Sequence, residues 1–327
     1  SEYHQARELE GESLSLAQQA GDPQMIAISN WVLGYVTFAL GEFTTALDHL
    51  EQTISFYDPS QHHRSMVVLR GSDSGTSALA YAACCLWCLG YPDQALQRSK
   101  EALRLAQEQR HPFSLADVLC YGGCLFNTLR RDSQALNIYS QKLLDLAIEN
   151  RFQGWIGSAR MYWGQALIMQ GQVQEGESQI HTGMKHHESI GGKVNLSDQY
   201  KPLAMVQAET GQFERAMKTL EQGFDFIEET DERYYEAELN RLKGELLLMQ
   251  GDEVGAEASL RKAIEVARRQ KAKSWELRAA TDMARLWQTE GRTDEAYELL
   301  APIYDWFTEG FDTPDLIAAQ ALLEELS

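Results

Sequence analysis

Proline is scarce in this 327-residue chain, with only seven, and glycine reaches just 24. Neither a loop-rich nor a disordered protein is expected from that composition. Cysteine numbers five, an odd count in a long chain without secretory features, which fits a reducing compartment better than a disulfide framework. No apolar run approaches the ~18 residues of a membrane span, and the charged, amphipathic residues 1–20 exclude a signal peptide. Cations are outnumbered, 29 Lys and Arg against 48 Asp and Glu, for a net charge of −19. Phosphate contacts need clustered cations, so a nucleic-acid partner is not expected, and neither is a membrane. The expectation is a soluble, cytoplasmic chain, whose 44% hydrophobic residues suffice for a large core.

What is present is a repeat. A glycine followed five residues later by a small residue recurs as Gly41/Ala46, Gly90/Ala95, Gly171/Gly176, Gly211/Ala216, Gly251/Ala256 and Gly291/Ala296, with Arg130/Ala135 in the same place. Starting from Ala6, the small anchors are spaced by 40, 49, 40, 41, 40, 40 and 40 residues. Twelve residues before each later anchor stands a second small residue: Gly34, Ala83, Gly123, Gly164, Ala204, Gly244 and Ala284. The pattern predicts two helices joined by a tight turn. The glycine supplies the permissive backbone at the end of the first helix, and the small pair lets the two backbones approach where they cross. Apolar residues at helical spacing, as in Leu286/Trp287 and Leu299/Leu300/Ile303, complete an antiparallel hairpin.

This spacing resembles the tetratricopeptide (TPR) repeat, here lengthened from a usual period of ~34 to ~40 residues. The expected fold is all-α: a right-handed TPR-like superhelical solenoid of about 16 helices in one repeat domain. It comprises an orphan helix over 2–20, hairpins over 24–58, 74–109, 113–150, 152–190, 195–230, 232–270 and 272–309, and a capping helix over 314–326 begun by Asp312-Thr313-Pro314. The nine extra residues between Ala46 and Ala95 fall in 58–75, expected to be an extended loop, and Pro302 should bend the last second helix. Because Ala6 belongs to a second helix without its first, the chain reads as a fragment of a longer protein.

Several stretches are more particular than a repeat consensus. They are residues 238–248 (ELNRLKGELLL), 274–280 (SWELRAA), 300–316 (LAPIYDWFTEGFDTPDL) and 89–95 (LGYPDQA), together with Tyr57-Asp58-Pro59 and Gly71-Ser72-Asp73. Over roughly residues 30–327 the chain resembles the C-terminal TPR-type region of bacterial predicted signalling ATPases, often fused to class III adenylate/guanylate cyclase domains or to DNA-binding domains. The resemblance implies a non-catalytic sensor or interaction arm, like the inducer-binding solenoid of maltotriose-responsive transcription activators. Its partners would be its own upstream ATPase or effector modules and a peptide or small-molecule inducer, with self-association compatible. A peptide-binding TPR adaptor that captures another protein in its groove is the alternative.

Catalytic motifs are not found. Gly191-Gly192-Lys193 is followed by Val194 and has no upstream glycine, so it is not a P-loop. Gly71-Ser72-Asp73-Ser74-Gly75 carries Asp where a nucleophile elbow needs Ser, and reads as a turn that caps the next helix. His62/His63 and His186/His187 are adjacent pairs whose side chains diverge on a helix, which disfavours a shared metal. Cys84 and Cys88 share one helix face and Cys120 and Cys124 another; a four-thiolate site is imaginable, but buried free thiol is the commoner case. No cofactor and no metal are expected. Residues 261–278, with seven Lys or Arg against two Glu, read as a solvated face or a dock for acidic groups.

A solenoid of this kind offers a concave surface lined by first helices. By resemblance to TPR domains, the lining positions are fifteen, eleven, eight and seven residues before each anchor. The candidate ligand-binding groove is therefore Trp31, Tyr35, Phe38, Cys84, Trp87, Cys120, Cys124 and Asn127, with Ala80 and Cys88 beside them, and at the other, charged end Lys201, Met205, Glu209, Arg241, Glu245 and Arg285. Trp31, Tyr35, Phe38 and Trp87 are expected to form a partly exposed aromatic wall beside the 58–75 insertion.

Overall fold

The computed structural model describes residues 2–191 and 197–327. The expected start of the fifth hairpin at 195, and the Gly192-Lys193 pair, lie outside the described residues. Those described are helical and contain no strand, as the all-α, TPR-like expectation required. They divide into two compact units, Ser1–Leu86 with Gln94–Asn195 and Trp87–Asp93 with Leu196–Ser327.

In the N-terminal part the helices are α1 (Glu2–Ala20), α2 (Pro23–Ala39), α3 (Phe43–Phe56), α4 (Pro59–Arg70), α5 (Ser74–Leu89) and α6 (Pro92–Gln109). The next hairpin begins with three contiguous pieces: α7 (Pro112–Val118), a π-helical segment (Leu119–Leu125) and α8 (Phe126–Arg130). It is closed by α9 (Ser133–Asn150), and α10 (Gln153–Met169) pairs with α11 (Val173–Ser189). A 3-10 turn (Ser197–Gln199) leads into α12 (Tyr200–Glu209) and α13 (Phe213–Thr230). Then come α14 (Glu236–Met249), α15 (Glu253–Arg269), α16 (Lys273–Thr289), α17 (Thr293–Tyr304) and α18 (Pro314–Leu326).

The turn glycines do what their spacing implied. Gly41, Gly90, Gly171, Gly211, Gly251 and Gly291 all hold positive φ, between 77° and 94°. In the hairpin that lacks the glycine the left-handed residue is Arg131, φ 60°, one place after Arg130. Where the paired helices cross, space is short. A Cβ added at Gly164 would stand 2.5 Å from the Gly176 carbonyl oxygen and 3.0 Å from the Ile180 nitrogen, both backbone. One at Gly34 would meet Leu50 Cγ at 2.6 Å.

The 58–75 segment corrects an expectation, since it is not an extended loop. Residues 59–70 form α4, started by Asp58, whose Oδ1 accepts the Ser60 amide at 2.9 Å, with Pro59 in the first turn, and stopped by Gly71 at φ 85°. Each of those signals is local. They were outweighed by the low apolar content of a helix in which Met66 alone is fully buried. At the other end Pro302 sits inside α17, which stops two residues later. Thr313 occupies the cap position of α18 but donates its hydroxyl to the Gly310 carbonyl at 2.7 Å instead of accepting from the helix.

Thermal or urea unfolding of three variants tests this packing. Gly164→Ala should cost about 1–3 kcal/mol, because the two backbones must part. Gly11→Ala, mid-α1 with nothing within 4 Å of the new carbon, should instead gain up to ~1 kcal/mol. Arg131→Gly should gain about 1 kcal/mol by relieving a left-handed residue.

Candidate functional site

The expected groove residues separate by burial. Trp31 and Tyr35, one helical turn apart on α2, are half-buried and stacked, with ring centroids 6.0 Å apart and planes 6° from parallel. Phe38 is core, wedged between Phe43 and Tyr81 at 5.7 and 5.5 Å. Trp87 is also core, 3% exposed, with its ring 4.8 Å from that of Trp275 and 4.7 Å from the Arg278 guanidinium. Cys84, Cys120 and Cys124 are buried, and burial pushes the Cys124 thiol well up. Asn127 is buried and donates to the Gly123 carbonyl at 2.6 Å. The expected wall is therefore corrected: Phe38 and Trp87 belong to the core. The reason is register. A residue eight places before the anchor lies four after the small crossing residue, on the same helix face, and so points into the hairpin.

The aromatic row that does form is largely buried and uses a different position. Fourteen places before their anchors stand Tyr81, Tyr121 and Tyr162, in three consecutive repeats. Tyr35 meets Tyr81 edge-on at 5.5 Å, and Tyr81 meets Tyr121 at 4.4 Å. Tyr121 in turn meets Trp155 at 5.9 Å, Trp155 meets Phe113 at 5.9 Å, and Phe113 meets Phe152 at 5.3 Å. Sequence reasoning missed Tyr81, Tyr121 and Tyr162, though an identical aromatic at one repeat position was the available signal. Tyr121 lies in the π-helical segment, beside Gly122 and Gly123, where the wider turn shifts the register of the residues that follow.

The row ends in a cavity of about 290 Å³ within the first unit. Its aromatic walls are Phe113, Tyr121, Phe152, Trp155 and Tyr162; Cys120, Gln153 and Gly154 line it as well. Besides Gln153, polar side chains come from Ser158 on α10 and His187 on α11, with Ser158 Oγ 3.0 Å from His187 Nε2. His187 is 6% exposed, and its Nδ1 has no hydrogen-bond partner among the described residues. Burial, with His186 nearby, lowers its pKa below the ordinary 6.5, so the ring is neutral at pH 7.

Helix α4 brings a polar cluster to the start of the row. The Arg70 guanidinium lies 3.1 Å over the Trp31 ring. Asp73, fully buried, accepts from the Tyr57 hydroxyl at 2.7 Å and the Thr76 amide at 3.0 Å, with His63 Nδ1 at 2.6 Å. Tyr57 also receives a hydrogen bond from Gln109; burial and the Asp73 charge push its hydroxyl well up. Burial raises Asp117 likewise, against the opposing pull of Arg70.

The charged end, in the second unit, is paired with itself. Lys201 Nζ reaches Glu238 Oε1 at 2.5 Å; Arg241 holds Glu238, Glu245 and Asp282; Arg278 binds Asp315 at 2.7 Å. Burial alone would raise the Glu238 carboxyl, but Arg241 and Lys201 hold it well below the usual range. The basic stretch 261–278 behaves in the same way, with Arg261 on Glu257, Arg269 on Glu236, and Arg268 and Lys273 on Glu276. Among the described residues no group of three His, Cys, Asp or Glu is arranged to hold a metal, and no helix is long and apolar enough to cross a membrane.

Three comparisons bear on this geometry. A family model described as anaphase-promoting complex subunit 5 matches residues 31–123 and 204–290. An uncharacterized protein of Rhizobium meliloti (strain 1021) is 24% identical over 285 residues, 85% of this chain and 27% of that protein, so the chain spans little more than a quarter of the curated relative it matches. Among solved structures, NprR in complex with its cognate peptide NprX is similar with a TM-score of 0.57 at 16% identity, over 89% of this chain and 82% of that one. A Rap protein complexed with Competence and Sporulation Factor gives a TM-score of 0.55 at 15% identity, over 95% and 80%. At such identities the likeness is one of fold.

The buried imidazole sets a pH dependence. Above pH 6.5 His187 is unprotonated in both folded and unfolded chain. Below 6.5 the unfolded chain takes up a proton that the folded chain resists, so stability falls with acidification until the lower folded value is passed. Urea unfolding at pH 7.5 and 5.5 should show a larger loss for the wild type than for His187→Gln; His49 and His111, also lowered by burial, contribute equally to both.

Proposed function

The chain belongs to the anaphase-promoting complex subunit 5 family, and from that premise we propose that it is a non-catalytic recognition arm whose aromatic cavity takes a side chain of an extended peptide. The cavity carries the reading: aromatic walls with a few polar groups, Gln153, Ser158 and His187, are the makings of a recognition pocket on a rigid scaffold. At the other end of the expected groove Lys201, Glu238 and Arg241 are bound to one another and so are not set out as a free acid, base or ion dock. Two proteins of similar fold hold, by their descriptions, a cognate peptide and a sporulation factor, which favours a peptide as ligand class.

The finer part of the proposal is that this arm serves a cytoplasmic, ATP-dependent signalling protein. The resemblance of residues 238–248 and 300–316 to TPR-type regions of signalling ATPases supports it, and so does a relative almost four times as long as the matched segment. In that setting peptide capture would be the input, and the upstream modules the output.

Fluorescence anisotropy against an array of labelled ten-residue peptides tests the proposal. Micromolar binding is expected for a subset, weakened by about five- to hundredfold in Trp155→Ala with unchanged helicity. Binding indifferent to Trp155, or ATP hydrolysis above background by the purified chain, would overturn it.

A further inference from the structure

Helix α4 ends on a cation that is held differently from its counterparts elsewhere in the described residues. Four other basic side chains stand over a tryptophan ring: Arg261 and Arg292 over Trp287, Lys273 over Trp306, and Arg278 over Trp87. Each is also paired with a carboxylate at 2.5 to 2.8 Å, through Glu257, Glu295, Glu276 and Asp315 respectively. Arg70 lies nearer its ring than any of them, 3.1 Å from the Trp31 centroid, yet makes no ion pair among the described residues. Its Nη1 is buried there without a hydrogen-bond partner, and so is Oδ2 of Asp117, a side chain 5% exposed. Burial raises the Asp117 carboxyl and lowers the Arg70 guanidinium, and each charge is the strongest influence opposing that shift in the other.

We infer that Arg70 is a stopper supplied by the chain itself: it occupies a seat, made by the Trp31 face and the Asp117 charge, for a cationic side chain of the captured peptide, which takes its place when α4 swings away. The inference rests on the recognition reading only in making that cation part of a peptide.

The chemistry of the seat selects the occupant. A tryptophan face is electrostatically negative and attracts a cation. A buried carboxylate oxygen without its hydrogen bond favours a group that brings N–H donors. Both demands are met by a guanidinium or an ammonium, whereas a neutral side chain leaves Asp117 without a counter-charge.

The present occupant is removable, because little apolar packing holds α4. Met66 is its one fully buried residue, and Val68 and Leu69 are 79% and 55% exposed. The helix stops at Gly71, φ 85°, where an added Cβ would meet nothing within 4 Å. Departure of Arg70 alone would leave Asp117 buried and uncompensated, a costly state that keeps the strap shut by default. Arrival of a second cation cancels that cost, so opening is coupled to exchange. The seat also adjoins the recognition site. Trp31 stacks on Tyr35, and Tyr35 meets the row that runs through Tyr81 and Tyr121 to the cavity. One extended peptide along that row can meet both.

Chemical rescue tests the exchange. Arg70→Ala should lower the melting temperature by roughly 2–5 °C, because Asp117 loses its cation. Millimolar N-acetyl-argininamide should restore it, and should bind the variant about fivefold or more tighter than the intact chain. The neutral isostere N-acetyl-citrullinamide should do neither, and Asp117→Asn should erase the preference for arginine. In the wild type, argininamide should speed hydrogen exchange across residues 60–70 while α2 and α5 stay unchanged. That measurement needs no variant, so it decides the matter even if Arg70→Ala does not fold. Arginine and citrulline amides acting alike, or α4 exchange indifferent to both, would overturn the inference. If argininamide displaces Arg70 but no array peptide depends on Trp155, the seat stands and the recognition reading falls. Array binding through Trp155 with no arginine effect at α4 keeps that reading and removes this inference.

Discussion

The close approach of two helix backbones within each hairpin is the constraint on which the rest depends. Gly164 and Gly176 leave no room for a Cβ between them, and Gly34 admits only the side chain of Leu50. With the crossing fixed there, the rotation of each first helix is fixed as well, at about 100° per residue. Residues three or four places from the crossing point lie inside the hairpin. A residue two places away is turned by about 200° and faces outward, toward the neighbouring helices. Tyr81, Tyr121 and Tyr162 hold that outward position, which is why the aromatic row runs through them and past Phe38 and Asn127.

On this repeating frame the departures are where chemistry gathers. The segment that holds the insertion forms the twelve-residue α4, which delivers Arg70 to the face of Trp31 and His63 to Asp73. The π-helical segment carries Tyr121, the ring that joins the row to the cavity. Regular repeats of the second unit do the opposite. They spend their polar side chains on one another, Lys201 to Glu238 to Arg241 to Asp282, in a ladder that fixes how successive first helices stack. The aromatic row and the charged ladder are thus different in kind: one is held by ring contacts, the other by paired charges.

Much of this was legible from spacing alone. Period, hairpin, turn glycines and crossing residues are local or periodic properties, set by backbone conformations that only glycine adopts cheaply and by contacts between residues a fixed distance apart. The start of α4 at Asp58-Pro59 and its stop at Gly71 were in the sequence too, although the weak apolar stripe between them concealed the helix. Even the Tyr81, Tyr121 and Tyr162 register could be counted from the anchors.

What the sequence by itself determined, then, is the repeat: an all-helical, TPR-like stack with its turns in known places. Only the tertiary structure decided which residues are surface and which are core, because one residue of register on a helix rotates a side chain by about 100° and exchanges groove for interior. It took the fold to bury Trp87 against Trp275, and to set Ser158 beside a His187 twenty-nine residues away. Those are relations between chain segments that no local pattern encodes, since they depend on how neighbouring hairpins pack and not on what either hairpin is.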